Sequence, residues 1–209
     1  MSTRLLIVRH GQTDWNTSGR FQGQTDIPLN QTGVRQAQAI AELLSTEKPE
    51  VIYTSDLTRA WKTAEIIHGA LPKERRGQLI AEPRLREMCF GMWEGLTYGE
   101  IQARQPRVLQ RWESDLKHNA PPGGETLLEL AARVEAAYAS ILAAHPGGTV
   151  LLVAHGGPLQ LLIAQALGMP AGRFWQLHLS NASLSELRVY PEGAMLNLLN
   201  CTEHLRVSS

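Results

Sequence analysis

Leu5-Leu6-Ile7-Val8-Arg9-His10-Gly11 lies almost at the start of this 209-residue chain, and Leu151-Leu152-Val153-Ala154-His155-Gly156-Gly157 repeats its pattern. Each stretch is an apolar run that ends in a histidine followed by glycine. Short continuous apolar runs are typical of strands buried on both faces of a parallel sheet. In open α/β sheets, ligands bind at the carboxyl ends of such strands. The two stretches therefore predict a sheet with a site that contains both His10 and His155.

Strand-like and helix-like segments alternate along the rest of the chain, which predicts a layered α/β fold. The predicted strands are residues 5–8, 51–53, 79–81, 150–154, 184–190 and 195–199. The predicted helices are residues 31–44, capped by Asn30, then 56–68, capped by Ser55, and then 98–105, 127–142 and 159–167. The prolines between residues 83 and 122 make that region less regular than the rest.

Length, composition and charge limit the classes of protein to which the chain can belong. Its 209 residues suit a single domain, 1–209, and 43% hydrophobic against 19% charged residues is an ordinary globular balance. The 20 basic and 20 acidic side chains cancel, so we predict no nucleic-acid and no membrane partner. The early apolar run, residues 5–8, is too short for a signal segment or a membrane span, which predicts a cytoplasmic protein.

The residues that most often bind metals are sparse or scattered in the sequence. Cys89 and Cys201 are the only cysteines and form no CxxC pair, so neither a disulfide framework nor a cysteine zinc site is predicted. The five histidines that show no ligand spacing with carboxylates are His68, His118, His145, His178 and His204. We therefore predict no metal, and the common nucleotide-binding and hydrolase motifs are also absent from the sequence.

Two further residues are candidates for the same site. Arg59 lies in the first turn of the helix that follows the second predicted strand, and the alternative is an ordinary solvated arginine. Glu87 precedes the apolar stretch Met88-Cys89-Phe90, and a carboxyl group at the edge of an apolar pocket is a candidate general acid. The alternative for Glu87 is a surface ion pair with Arg86.

Several sequence blocks, in order along nearly the whole chain, resemble the signature of the histidine phosphatase superfamily, also called phosphoglycerate mutase-like. They lie at residues 6–16, 21–23, 28–37, 55–64, 85–95, 123–126 and 153–157. The resemblance implies a mostly parallel central sheet with helices on both faces, a three-layer sandwich. It also implies a small helical flap insertion at about residues 88–122.

The resemblance also implies roles for individual residues. His10 resembles the nucleophile that becomes a phosphohistidine, Glu87 the proton donor, and Arg9, Arg59 and His155 the cationic pocket around the phosphate. The residues that match substrate-contacting positions of the family are Asn16, Gln22, Gly23 and Gly156. Two arginines and a protonated His155 would offset the roughly −1.5 to −2 charge of a phosphomonoester near pH 7. No cofactor is needed for this chemistry.

The block after Glu87 bears on the reaction and its substrate. Cofactor-dependent phosphoglycerate mutases usually continue with an Arg-His-Tyr-Gly type block, whereas this chain has Met88-Cys89-Phe90-Gly91. A metal-independent phosphatase of small phosphate esters is therefore the favoured prediction, most similar to α-ribazole phosphatases and broad-specificity phosphatases.

The apolar flap favours a bulky, partly apolar alcohol such as that of α-ribazole 5′-phosphate. The alternatives are a phosphoglycerate mutase and a catalytically silent phosphate-binding module. The strand-like C-terminal segment suggests a homodimer.

Overall fold

The structure is a computed structural model, and it describes residues 2–206. Its centre is a six-stranded sheet in the order β3-β2-β4-β1-β5-β6. The strands are β1 Thr3–Arg9, β2 Val51–Thr54, β3 Gln78–Ala81, β4 Thr149–Ala154, β5 Leu184–Tyr190 and β6 Gly193–Cys201. Strands β1 to β4 run parallel to one another, and β5 and β6 add an antiparallel edge. The prediction of a mostly parallel α/β sheet is confirmed.

In the described part of the chain, seven α-helices surround this sheet. They are α1 Asp14–Thr17, α2 Gln31–Leu43, α3 Thr58–Ala70, α4 Tyr98–Arg104, α5 Pro106–Ser114, α6 Leu127–Ala144 and α7 Gly156–Ala166. Short 3-10 turns occur at Lys73–Arg75, Pro83–Leu85, Gly91–Trp93, Ala171–Gln176 and Glu203–Leu205. Within residues 2–206, no helix combines the length and the apolarity that crossing a membrane requires.

The continuous apolar run of β1 reflects burial on both faces of the sheet. Leu5 and Ile7 pack in one cluster with residues of α6 and α7. Leu6 and Val8 point the other way and pack with residues of α2 and α3. Because side chains alternate along a strand, a strand covered on both faces must be apolar at every position. The helices therefore form the two outer layers of the expected sandwich.

The pairing of β1 with β4 brings the two histidines together. The strands are parallel, with Val8 opposite Val153 and Arg9 opposite Ala154. The next residue of each strand is a histidine, so the two rings leave the sheet at the same edge. The register of the sheet thus places His10 beside His155.

The start of α3 corrects one sequence prediction. Ser55 does not cap this helix, which begins at Thr58 after a Leu57 N-cap that makes no side-chain hydrogen bond. Instead, the carboxylate of Asp26 accepts hydrogen bonds from the Thr58 N–H at 2.7 Å and from its hydroxyl at 2.5 Å. A cap from a distant loop replaces the local one, which leaves the Ser55 hydroxyl free for another partner. The predicted Asn30 cap of α2 is confirmed by its bond to the Gly33 N–H.

Other element boundaries also differ from the predictions. Helix α7 begins at Gly156, three residues before the predicted start at residue 159, with Pro158 in its first turn. The predicted helix at residues 98–105 ends at Arg104, and α5 follows, with Pro106 as its first residue. Proline suits this position because its missing N–H has no partner in a first turn. Helix α5 thus lies in a part of the region between residues 83 and 122 for which the sequence predicted no helix.

Candidate active site

The ring of His10 is held by the backbone of the next residue. The His10 N–H extends the ladder beyond β1 to the Ala154 carbonyl, at 2.9 Å. The residue is 2% exposed, and Nδ1 lies 2.6 Å from the Gly11 carbonyl oxygen. A carbonyl oxygen only accepts, so Nδ1 carries the hydrogen and Nε2 keeps a free lone pair.

Burial and neighbouring charge keep the His10 ring neutral. Desolvation is the largest cause, followed by the guanidinium groups of Arg9 and Arg59, and together they hold the pKa of His10 well below its usual value. The hydrogen bond to Gly11 acts in the opposite direction but does not cancel them. The site therefore presents an unprotonated imidazole nitrogen at neutral pH, which is the nucleophilic form.

The second histidine lies directly beside the first. The ring centroids of His10 and His155 are 5.0 Å apart, in an edge-to-face arrangement. Nε2 of His155 is 2.8 Å from the Ser55 hydroxyl, which also accepts the N–H of Leu57 at 3.3 Å. The hydroxyl hydrogen of Ser55 is then available to Nε2, which leaves Nδ1 of His155 as the N–H donor. This Nδ1 is buried and has no hydrogen-bond partner within residues 2–206.

In the protein by itself the structure favours a neutral His155, unlike the protonated form expected with a bound phosphate. Burial, and then the guanidinium groups of Arg59 and Arg9, hold the pKa of His155 well below its usual value. Two guanidinium groups already provide the positive charge of the site, so a third buried cation beside them is unfavourable. His155 is therefore a neutral hydrogen-bond donor beside the His10 ring.

The two arginines are anchored by backbone carbonyl groups. Arg59, fully buried in the first turn of α3, donates from Nη1 to Thr25 at 2.9 Å and from Nη2 to Gly23 at 2.7 Å. Arg9 donates from Nη1 to the Leu179 carbonyl at 2.6 Å. The Nε atoms of both arginines are buried without a partner in the described part of the chain. Arg59 is thus not a solvated surface arginine, and both side chains keep donors for an anion.

Glu87 meets the site at the first turn of α7. Its Oε1 accepts the N–H of Met88 at 2.9 Å, and its Oε2 lies 3.4 Å from the N–H of Gly157. A Cβ atom on Gly156 would lie 3.7 Å from Cζ of Arg9 and 3.9 Å from Oε2 of Glu87. The first turn of α7 therefore lies between the guanidinium group and the carboxyl group.

The alternative of an ion pair between Glu87 and Arg86 is not found among the described residues. Arg86 instead forms a two-point ion pair with Asp56, at 2.7 and 2.5 Å. The carboxyl group of Glu87 is therefore not committed to the arginine beside it in sequence.

A partly buried arginine that the sequence analysis missed fixes the backbone of Glu87. Nη1 of Arg133, on α6, donates to the carbonyl oxygens of Arg84 and Arg86, at 2.7 and 2.6 Å. Its Nη2 donates to the Glu87 carbonyl at 2.9 Å and to the Glu125 carboxylate at 2.6 Å. Three carbonyl groups of the chain near the carboxyl group are thus fastened to one guanidinium group.

A second missed residue, Glu94, fixes the loop beside Arg59. Its carboxylate accepts hydrogen bonds from the N–H groups of Gln24, Thr25 and Phe90 at 3.0, 2.9 and 3.1 Å, and from the Thr25 hydroxyl at 2.5 Å. This loop supplies the carbonyl oxygens that orient Arg59. Glu94 lies within a block that resembles the family, but its contacts join residues about 70 positions apart, so spacing alone could not reveal them.

The candidate substrate-contacting residues have the following positions. Oδ1 of Asn16 accepts the Thr13 N–H at 3.0 Å and lies 3.2 Å from Nδ2 of Asn181, which also donates to the His10 carbonyl. Gln22 is 8% exposed, and its Oε1 accepts the Thr13 hydroxyl at 2.9 Å. Asn16 and Gln22 therefore belong to one hydrogen-bonded group that reaches the backbone of His10.

The two candidate glycines contribute a backbone carbonyl group or the room left by a missing side chain. Gly23 provides the carbonyl that receives Nη2 of Arg59, and Gly156 leaves open the space between Arg9 and Glu87. The structure thus brings together all nine residues that the sequence singled out. Within residues 2–206, no three His, Cys, Asp or Glu side chains are placed to hold a metal ion.

The fold and the site define an α/β protein with a positively charged cleft at the carboxyl edge of its sheet. Buried guanidinium groups and histidine rings form the cleft, beside one carboxyl group. The chain belongs to the histidine phosphatase superfamily, because the model of branch 1 of that superfamily matches residues 5–202.

Comparison with individual proteins agrees with this assignment. The chain is 40% identical over 194 residues to the glucosyl-3-phosphoglycerate phosphatase of Mycobacterium tuberculosis, covering 88% of this chain and 84% of that protein. It is 39% identical over 188 residues to a Proteus mirabilis protein named "Probable phosphoglycerate mutase GpmB", covering 88% of this chain and 84% of that protein. The crystal structure of the α-ribazole phosphatase from Shigella flexneri has a TM-score of 0.87 and 31% identity, covering 95% of this chain and 96% of that one.

Proposed function

We propose that the protein is a metal-independent phosphomonoesterase that transfers the phosphoryl group of an ester to Nε2 of His10 and then to water. The observation that carries this proposal is the state of the His10 ring. Its Nδ1 is bonded to the Gly11 carbonyl, and burial, followed by two nearby guanidinium groups, lowers the pKa of the ring. Nε2 is then a neutral nucleophile directed by the backbone rather than by a mobile side chain.

In the first step, the lone pair of His10 Nε2 forms a bond to phosphorus while the bond from phosphorus to the leaving oxygen breaks. The carboxyl group of Glu87 gives its proton to that oxygen, so a neutral alcohol departs. The Nε atoms of Arg9 and Arg59 and the Nδ1–H of His155 are buried donors without partners in residues 2–206, and they supply hydrogen bonds to the phosphoryl oxygens. Such donors accelerate the step most where charge redistributes in the transition state.

In the second step, the carboxylate of Glu87 takes a proton from a water molecule, whose oxygen bonds to phosphorus. The bond between phosphorus and Nε2 breaks, which releases inorganic phosphate and returns His10 to its neutral form. Glu87 regains its proton, so the cycle balances without any further reactant.

The leaving-group side of the cleft favours water over a second phosphate ester as the final acceptor. The residues after Glu87 are Met88, Cys89 and Phe90, and none of them can bind a phosphate by charge. A mutase must hold two phosphate groups at once, each of which needs its own positive partners. Hydrolysis is therefore the better supported outcome, although one relative carries a mutase name.

The substrate proposed here is a bulky phosphate ester such as α-ribazole 5′-phosphate. Residues 88–122, with helices α4 and α5, are proposed to form a flap beside the cleft. Phe90, Trp93 and Trp112 pack in this segment around Phe21, with neighbouring ring centroids 4.8 to 6.5 Å apart. An apolar flap of this kind supports a large organic group better than a triose.

A panel of phosphate esters assayed with excess chelator tests this function. We expect full turnover of 4-nitrophenyl phosphate in EDTA, because the site's own arginines supply the positive charge. α-Ribazole 5′-phosphate should exceed 3-phosphoglycerate in kcat/KM. Loss of activity in chelator that added Mg²⁺ or Zn²⁺ restores would contradict the metal-independent mechanism. Interconversion of 2- and 3-phosphoglycerate with a bisphosphate primer, faster than hydrolysis, would instead establish the mutase.

A further inference from the structure

An apolar pocket opens beside the candidate general acid. Its volume is about 320 Å³, near the lower end of ordinary small-molecule sites. Its lining residues are Glu87, Met88, Phe90, Trp112, Leu116, Leu127, Leu130, Gly157, Gln160, Phe174 and Trp175. Of these eleven residues none is Lys, Arg or His, and the amide nitrogen of Gln160 is already bonded to the Leu177 carbonyl. The pocket thus offers no cationic partner for a negatively charged group.

The pocket borders the proposed site of phosphoryl transfer. Glu87 and Gly157 belong to both, since Oε2 of Glu87 lies 3.4 Å from the Gly157 N–H at the start of α7. A leaving oxygen that receives its proton from Glu87 therefore carries its organic group to the mouth of this pocket. The pocket therefore lies where the organic part of the leaving group would be.

One wall of the pocket comes from outside the proposed flap. Phe174 and Trp175 lie in the 3-10 turn Ala171–Gln176, which follows α7. Trp175 is 62% exposed, and its indole N–H donates to the Gly172 carbonyl at 3.1 Å. A large exposed aromatic ring at the rim of an apolar pocket marks a binding surface. Because its only polar group is already satisfied, the ring can contribute only apolar and aromatic contact.

We propose that this pocket selects phosphate esters whose leaving group is an uncharged aromatic ring on a short linker, and that Trp175 is a specificity-determining residue. Four of the eleven lining residues are aromatic, namely Phe90, Trp112, Phe174 and Trp175. Aromatic pairs gain more than their buried area alone provides, so a ring fits this lining better than an alkyl chain of equal size. A carboxylate group would enter without a cationic partner and lose its hydration. The proposal rests on the phosphomonoesterase activity proposed above.

The test compares esters that release similar primary alcohols, so that differences in kcat/KM report the pocket rather than intrinsic reactivity. The substrates are 2-phenylethyl phosphate, ethyl phosphate and phosphoserine. We expect kcat/KM for 2-phenylethyl phosphate to exceed each of the others by roughly tenfold or more. Trp175→Ala should reduce kcat/KM for that ester by roughly fivefold and change the other two by less than about twofold. Met195→Ala is the matched control, because Met195 is an exposed apolar residue of β6, outside the proposed flap, that does not line the pocket.

A binding measurement separates failure of this proposal from failure of the proposed function. Benzylphosphonate and methylphosphonate cannot be hydrolysed as esters, and their affinities are measured by titration calorimetry at several temperatures. Benzylphosphonate should bind more tightly, with a negative heat-capacity change that Trp175→Ala diminishes. Absence of turnover for every ester would reject the phosphomonoesterase, whereas turnover with equal or better use of phosphoserine would reject the aromatic pocket. An equal loss for all three esters in Trp175→Ala would show a merely structural role and would also overturn the proposal.

Discussion

His10→Ala is expected to abolish turnover of phosphate esters while the fold persists. The substitution removes the ring nitrogen whose free lone pair lies beside both guanidinium groups, so the two-step route has no nucleophile. We expect kcat to fall by about 10⁴-fold or more, measured in a continuous assay with 4-nitrophenyl phosphate. Circular dichroism and thermal melting establish that the variant is folded.

His145→Ala is the matched control for this variant. His145 is a partly buried histidine that follows α6, and its ring bonds to the Tyr53 hydroxyl at 3.1 Å. The carbonyl of His145 pairs with Thr3, the first residue of β1, which places it at the opposite edge of the sheet from His10. Its removal should leave kcat within about twofold of the original value. A folded His10→Ala variant that retains a tenth of the activity would refute the proposed nucleophile.

Glu87→Gln is expected to slow the hydrolysis of alkyl esters far more than that of 4-nitrophenyl phosphate. The amide that replaces the carboxyl group cannot give a proton to the leaving oxygen, and an alkoxide leaves poorly without one. A nitrophenolate leaves readily unprotonated, so it does not need the acid. We expect kcat/KM for 2-phenylethyl phosphate to fall by about 10³-fold and that for 4-nitrophenyl phosphate by about tenfold or less.

The ratio kcat/KM isolates the acid role of Glu87, because it reports the steps up to the first irreversible one and so omits hydrolysis of the phosphohistidine. Glu113→Gln is the control: Glu113 is an exposed glutamate of α5 whose carboxylate accepts the Tyr98 hydroxyl at 2.7 Å. This substitution should leave kcat/KM unchanged for both esters. An equal loss of kcat/KM for both esters in Glu87→Gln would mean that Glu87 acts by charge or position and not as an acid.

The two histidines could be predicted from sequence because the signal is local. Each follows an apolar run, and parallel strands in register bring such positions to one edge. The hydrogen bonds that hold the histidines and the nearby helix start could not be predicted, because they join distant parts of the chain. Ser55 meets His155 across 100 positions, and Asp26 replaces it as the cap of α3 across 32. Local sequence preference can predict a cap residue, but it cannot predict that a residue from a distant loop takes its place.

The misplaced start of α7 has a different physical cause. Glycine is a poor helix former, so Gly156 and Gly157 are naturally assigned to a loop. A Cβ on Gly157 would lie 2.5 Å from Oε1 of Glu87, so glycine allows this carboxyl group to approach the first turn in its present position. The weak helical preference is the cost of bringing the helix start close to the carboxyl group. In the same way, Pro106 suggests a break, but here it begins α5.

Trapping of the covalent intermediate tests the central claim most directly. The protein is mixed with ³²P-labelled 4-nitrophenyl phosphate, quenched in alkali within milliseconds, digested and analysed by mass spectrometry. The proposed mechanism predicts a burst of nitrophenolate of up to one equivalent, with label on Nε2 of His10. His10→Ala should show neither the burst nor the label. Label on any other side chain, or steady turnover with nitrophenolate and phosphate released together and no labelled protein, would contradict transfer through His10.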